Sequence, residues 1–215
     1  MKARTEALLP GRAVKSWIST FHSLCVRILR REAEAAGLPR DFVIYDDEDQ
    51  LQAVREALRA LDLPEKVHPP RRILARISAA KNAGRDPEQE NDSESVAAAT
   101  LARVAERYRQ TLEAAHALDF DDLLLRAVAL LESNEAVRES YRQRFQYVLV
   151  DEYQDTNRAQ YELVRHLSGP HGNITVVGDE DQSIYSWRGA DIRNILDFEA
   201  DFPGARVLRL EENYR

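Results

Sequence analysis

Apolar residues recur at helical spacing through the first two thirds of this chain and change to short unbroken runs beyond residue 146. Val14 to Thr20 is compatible with a short strand. His22 to Ala36 then places Leu24, Ile28 and Leu29 on one helical face until Gly37-Leu38-Pro39 ends it, which predicts strand, turn, helix. Asp46 has the character of an N-cap with Asp49 three residues on, and Leu51, Val54, Leu58 and Leu61 form a stripe before Pro64. Two further helices are predicted over 71–82 and 94–116, separated by the polar stretch Asn82 to Ser95 with its Gly84 and Pro87. The next begins at Asp119, where Phe120, Leu123, Leu124, Ala127, Val128 and Leu131 repeat at i, i+3, i+4, i+7, i+8 and i+11.

The unbroken runs are Tyr147-Val148-Leu149-Val150 and Ile174-Thr175-Val176-Val177, with a helical segment over 157–168 between them. Continuous apolar strands joined through a helix predict neighbours in a parallel sheet covered on both faces. A helix over 190–199 and a last strand over Arg206–Leu210 follow. The predicted class is α/β, a parallel-sheet domain interrupted by a helical insertion, without internal repeats or low-complexity tracts.

Composition narrows this picture. With 215 residues and 44% apolar content the chain can bury one large core or two small ones. A net charge of −7 provides no global basic field, so any contact with nucleic acid must be local. Cys25 stands alone among Leu24, Val26, Ile28 and Leu29, which excludes an internal disulfide and fits a reducing compartment. The amino terminus lacks the apolar core of a signal peptide, and no run approaches the roughly 18 apolar residues of a membrane span. A soluble cytoplasmic protein without a membrane partner is expected. The histidines at 22, 68, 116, 166 and 171 have no ligand-like spacing, which argues against a zinc site.

The sharpest chemical signal is Asp151-Glu152 at the end of the first apolar run. A parallel strand that ends in two acids delivers both carboxylates to the edge where open α/β sheets bind ligands. In nucleotide hydrolases the first acid holds Mg²⁺, because a hard dication wants oxygen ligands, and the second orients and deprotonates the attacking water. Taken alone, the pair points first to the plainer role of capping the following helix.

The surrounding residues decide between these roles. Asp151-Glu152-Tyr153-Gln154-Asp155-Thr156-Asn157, and Val176-Val177-Gly178-Asp179-Glu180-Asp181-Gln182-Ser183-Ile184-Tyr185-Ser186-Trp187-Arg188-Gly189-Ala190, resemble the second and third helicase motifs of the UvrD/Rep/PcrA group of superfamily 1 DNA helicases. Ser19-Thr20-Phe21-His22-Ser23 resembles the group's Thr-Phe-His-Ser motif. Leu118-Asp119-Phe120-Asp121-Asp122-Leu123 is similar to another of its signatures, and Asn213-Tyr214-Arg215 to the start of its fourth motif. These matches run in family order from residue 19 to residue 215.

The resemblance implies a partial RecA-like motor domain, called 1A, over 1–23 and 118–215, and a helical insertion subdomain, 1B, over 24–117. It implies ATP and Mg²⁺ as ligands of the complete motor, with Asp151 as the metal carboxylate and Glu152 as the general base. Gln182 is implied at the γ-phosphate, where its amide can both donate and accept. Arg215 is implied there as a permanently charged donor. On the DNA side it implies Tyr185, Trp187 and Arg188, since aromatic rings stack on unpaired bases regardless of sequence and an arginine pairs with phosphate. Thr20, Phe21 and His22, expected at a strand end, would line the groove, although His22 is equally open to a local hydrogen-bonding role. Arg27, Arg30, Arg31, Arg71, Arg72 and Arg76 are open to backbone contact or to plain solvation. The partners implied are single-stranded DNA, single/double-strand junctions and the remainder of the helicase.

One departure stands out. A complete motor carries a Gly-x-x-x-x-Gly-Lys-Ser/Thr phosphate loop (Walker A), and these residues contain none: Gly11 is isolated, and Lys15 has no glycine-rich loop before it. The adenine-contacting glutamine motif and the second motor domain are not represented either. The expectation is therefore an incomplete sheet, without the phosphate-loop strand, that does not hydrolyse ATP by itself. The alternative is a non-catalytic single-stranded DNA-binding or partner-binding module derived from such a helicase.

Overall fold

The structure, a computed structural model, describes residue 7 and residues 16–88, 96–169, 172–182, 190–191 and 193–209. Helix α1 (Phe21–Arg31) begins where the Thr20 hydroxyl accepts the Ser23 amide, and it buries Cys25, Ile28 and Leu29. Its capping decides the local structure. Ser16 to Thr20 is irregular rather than a strand, so Thr20, Phe21 and His22 open a helix and do not close a strand.

A two-residue strand, β1 (Val43–Ile44), pairs in parallel with β2 (Ala117–Leu118). The intervening helices are α2 (Asp47–Ala60), α3 (Pro70–Asn82) and α4 (Val96–Ala114). The ribbon thus ties the entry and exit of the helical stretch side by side. Asp46 caps α2 in a reciprocal box with Asp49, as the sequence spacing predicts, and Pro70 occupies the first turn of α3, where its missing N–H costs nothing.

Helix α5 (Phe120–Ser133) is capped by an Asp119/Asp122 box. Helix α6 (Glu135–Arg144) has no counterpart in the sequence expectation; Asn134 ends α5 and caps α6 through the Val137 amide, so a single residue breaks what reads as one polar tail. Strands β3 (Val148–Val150) and β4 (Ile174–Val176) pair in parallel through α7 (Arg158–Ser168), which starts on an Asn157/Gln160 box. The mixed α/β class with parallel strands is as expected. Two details differ. The helix expected over 190–199 is two short pieces, α8 (Arg193–Leu196) and α9 (Phe198–Asp201), separated at Asp197, and Arg206 to Arg209 is irregular, Leu210 lying outside the described residues.

Three apolar clusters hold these elements. Helix α1 and Phe42 share a core with α5, Tyr141 of α6 and α7. Helices α2, α3 and α4 enclose their own, around Val54, Leu58, Ile77, Leu101 and Tyr108. The third joins Val150, Tyr153, Tyr161 and Val164. Alternation along β3 sends Val150 into that third cluster and leaves Leu149 77% exposed, so among the described residues the sheet is covered on one face, not both.

Candidate functional site

The end of β3 is built as a sharp reversal. Val177 donates to the Val150 carbonyl at 2.8 Å, extending the ladder one step, and Tyr153 donates back to the Val177 carbonyl at 3.0 Å. Between these two bonds lie Asp151 and Glu152, both exposed at the C-terminal edge of the sheet. Glu152 has φ +54° and ψ 44°, a left-handed conformation that costs a non-glycine residue about 1–2 kcal/mol and turns the chain into the 3₁₀ turn Tyr153–Asp155. The Asp151 Oδ1 accepts the Glu152 amide at 3.1 Å.

The end of β4 lies beside it. Asp179 organises the following turn, Glu180–Gln182: its Oδ1 accepts from the Asp181 amide at 3.1 Å and its carbonyl from the Gln182 amide at 3.0 Å, while its Oδ2 accepts from the Gln182 side-chain amide. Between the two strand ends sits Gln154, 1% exposed, whose Nε2 donates to Glu152 Oε2 at 2.8 Å and whose Oε1 accepts the Asp179 amide at 3.1 Å. Gly178 makes this approach possible; a Cβ there would lie 2.6 Å from Gln154 Oε1 and 2.8 Å from Ile195 Cδ1.

The loop after the acids is held from two sides. The Thr156 carbonyl accepts from the Asp191 amide and from Asn194 Nδ2, each at 3.0 Å. Asn157 donates its side-chain amide to Asn82 Oδ1 at the end of α3, reaching into the helical stretch. There a second acidic cluster is buried. Lys81 Nζ lies 2.7 Å from Asp119 Oδ2 and 2.7 Å from Asp122 Oδ1, the Tyr108 hydroxyl donates to Asp119 at 2.9 Å, and Asn82 donates to Asp121 at 2.9 Å. Burial pushes the Asp121 and Asp122 carboxyls up. Burial alone would lower Lys81, but Asp122 and Asp119 beside it carry it above its ordinary value. A cavity of about 570 Å³ adjoins this cluster, lined by Lys81, Tyr108 and Asp122 among others, and none of Asp151, Glu152 or Gln182 borders it.

Of the positions implicated in DNA contact, Thr20 is exposed but engaged with Ser23. Phe21 is half-buried and packs against both the α1/α5 core and the Val150–Tyr153 cluster, which brings the Thr-Phe-His-Ser segment next to the β3 end. His22 packs edge-on against Phe120 with centroids 5.8 Å apart, and burial holds its imidazole below its usual range against the opposing pull of Asp121. Tyr185, Trp187, Arg188 and Arg215 lie outside the described residues.

The edge fits a magnesium ion in a limited way. Among the described residues no group of three or more His, Cys, Asp or Glu side chains gathers as a metal cage. Magnesium does not require one: it keeps several waters and takes one or two carboxylates together with substrate phosphates. Asp151, with one oxygen occupied by the Glu152 amide, fits that role.

A family profile described as the UvrD/REP helicase N-terminal domain matches residues 1–203. The chain belongs to this family. It is 48% identical over 219 residues to the ATP-dependent DNA helicase PcrA of Bacillus subtilis, 46% over 216 to that of Staphylococcus epidermidis RP62A and 45% over 216 to that of Staphylococcus aureus Mu50. Each match covers all of this chain and 29–30% of the relative, so the chain spans under a third of the length of these helicases. Among the described residues no helix is long and apolar enough to cross a membrane.

Two features of this UvrD/REP-type domain escaped the reading of the sequence. Gln154 read only as a letter in a motif, although its position two residues after Glu152 and the glycine at 178 were a usable signal. The partners of the Asp119–Asp122 acids, Lys81 and Asn82, lie about 40 residues upstream at the end of an ordinary amphipathic helix, and nothing local marks them.

Proposed function

We propose that this chain supplies the Mg²⁺ carboxylate, the general base and part of the DNA groove of an ATP-dependent helicase that moves on single-stranded DNA and unwinds duplexes. The observation that carries this reading is the convergence of Asp151, Glu152 and the Gln182 turn at the C-terminal edges of two hydrogen-bonded parallel strands. Family membership supports it, as do the names of the PcrA relatives.

In the proposed mechanism the edge receives the γ-phosphate of ATP. Asp151 would hold the magnesium ion, which when bound would neutralise charge on the phosphate oxygens. Glu152 orients a water for in-line attack and accepts its proton as the γ-phosphoryl group leaves ADP. Gln182 contacts the γ-phosphate with an uncharged amide and links it to the adjacent segment of Tyr185, Trp187 and Arg188, which takes unpaired bases and phosphate. Arg215 adds a guanidinium to the transferring group. Thr20, Phe21 and His22 border the groove, with the Thr20 end of α1 as its exposed part. The division into 1A over 1–23 and 118–215 and 1B over 24–117 belongs to the same reading; the separate core of α2–α4 supports it for the insertion, whereas α1 and Phe42, which fall within 24–117, pack with α5, α6 and α7. Single/double-strand junctions and a cytoplasmic setting belong to the same reading.

A phosphate loop is needed to cradle the β- and γ-phosphates, and these 215 residues contain no Gly-x-x-x-x-Gly-Lys-Ser/Thr sequence. The chain alone is therefore inactive as an ATPase and needs the remaining helicase segments. The test is anisotropy of a labelled dT oligonucleotide titrated with the chain at low and moderate salt, beside an ATPase assay. Salt-sensitive binding weakened at least severalfold by Trp187→Ala, with no DNA-stimulated hydrolysis, is the expected result. Binding that ignores Trp187, or ATP turnover abolished by Glu152→Gln, overturns the DNA assignment or the inactivity respectively.

A further inference from the structure

Gln154 belongs neither to the acids that face the substrate edge nor to the apolar core, yet it is nearly inaccessible and both ends of its amide are used. One end holds the carboxylate of Glu152. The other holds the backbone of Asp179, the residue that carries Gln182 through a backbone and a side-chain bond. The amide group is planar, so its donor and acceptor cannot move independently. A shift of the Asp179 turn must either break the 3.1 Å bond or drag the Glu152 carboxylate with it.

The surroundings leave little slack. Gly178 is the position at which any side chain would collide with Gln154 Oε1, and the same Cβ would also meet Ile195 Cδ1. The Glu152 side chain is exposed, and Gln154 Nε2 is the neighbour that holds its Oε2. The residue type also matters. A glutamate at 154 would set a second carboxylate against Glu152, and an apolar residue would leave the Asp179 N–H without its acceptor.

We propose that Gln154 is a positioning residue that transmits the position of the Asp179–Gln182 turn to the carboxylate of Glu152, so that the base is aimed only when that turn is in place. This deepens the reading of Glu152 as the base and Gln182 as the γ-phosphate contact, and it rests on that reading for its consequence. The coupling itself needs neither nucleotide nor DNA.

The experiment is a cycle of variants of the 215-residue chain read by backbone amide NMR. Glu152→Gln removes the charge at one end of the relay; in the native background it is expected to shift the Asp179 amide resonance, and in the Gln154→Met background to leave it unmoved. Gln154→Met alone is expected to speed exchange of the Asp179 amide at least tenfold, with the α7 amides unchanged. Should Gln154→Met not fold, Gln154→Asn, whose amide is one methylene too short to reach both partners, is expected to decouple the two sites in the same way, as is Gly178→Ala. An Asp179 amide that stays protected in these variants, or that responds to Glu152→Gln equally with and without Gln154, overturns the relay. If instead the relay is intact while dT binding and its dependence on Trp187 fail, the functional reading falls and the relay stands.

Discussion

Two acidic clusters of this chain present the same chemical group, the carboxylate, and are built in opposite ways. Asp119, Asp121 and Asp122 are drawn inside, with Asp119 only 2% exposed, and each carboxylate there is matched by a lysine, a phenol, an amide or a helix N-terminal N–H. Asp151 and Glu152 stand exposed at a strand end, each held, among the described residues, by one neighbouring N–H donor. Buried acids must have every lone pair answered, because an unmatched charge there costs several kcal/mol. Acids that act on a ligand must keep lone pairs open. The first cluster is accordingly a fastening between α3, α4 and α5, and the second keeps its carboxylates accessible to solvent.

Removing the cation from the fastening is the most severe way to break this contrast. Lys81→Met leaves Asp119 and Asp122 facing each other in a buried site, and the expected loss is about 3–5 kcal/mol by urea denaturation. The pH dependence gives a second readout. A lysine raised on folding adds stability that is complete below its ordinary value of 10.5 and is lost as pH climbs through the raised one. Burial and Asp119 raise the Tyr108 hydroxyl too, and it acts in the same sense. Stability should therefore hold up to about pH 10 and fall as pH climbs beyond it, and the slope should be shallower in Lys81→Met. An unchanged slope would remove Lys81 from the fastening.

Much of this molecule is visible in its sequence where a local rule operates. Asp46, Asp119 and Asn157 start helices because a short acceptor can reach amides two or three residues ahead, and both β3 and β4 are unbroken apolar runs. The acid pair and its strand end were legible for the same reason. What was not legible depends on distant partners. The strand expected before Thr20 gives way because Thr20 is used as a cap. The 43–44/117–118 ribbon joins segments about 70 residues apart, too short for any periodicity to register. Helix α6 is mostly polar, its only buried residue being Tyr141, so it carries no apolar stripe to read.

A milder way to sharpen the comparison lies at the bridge between the clusters. Asn157, next to the acid-bearing turn, meets Asn82, which also holds Asp121. Asn82→Ala removes both bonds and is expected to cost about 1–3 kcal/mol, whereas Asn157→Ala loses the bridge and the α7 cap for about 1–2 kcal/mol. Because the variants share one bond, the double variant should cost less than the sum by at least about 0.5 kcal/mol. Strict additivity in chemical denaturation would mean that the two clusters are fastened independently.

The smallest effect is expected where chemistry is proposed. Asp151→Asn and Glu152→Gln keep the acceptor oxygens that receive the Glu152 amide and Gln154 Nε2, and both side chains face solvent. Neither should change unfolding free energy by more than about 0.5 kcal/mol. Glu152→Gly goes further, since it relieves a left-handed conformation at the cost of a more flexible unfolded chain; these terms oppose each other and leave a change within about 1 kcal/mol. A loss above about 2 kcal/mol in Asp151→Asn or Glu152→Gln would show that the acid pair fastens the fold as the buried aspartates do. The contrast between an answered and an open set of carboxylates would then collapse.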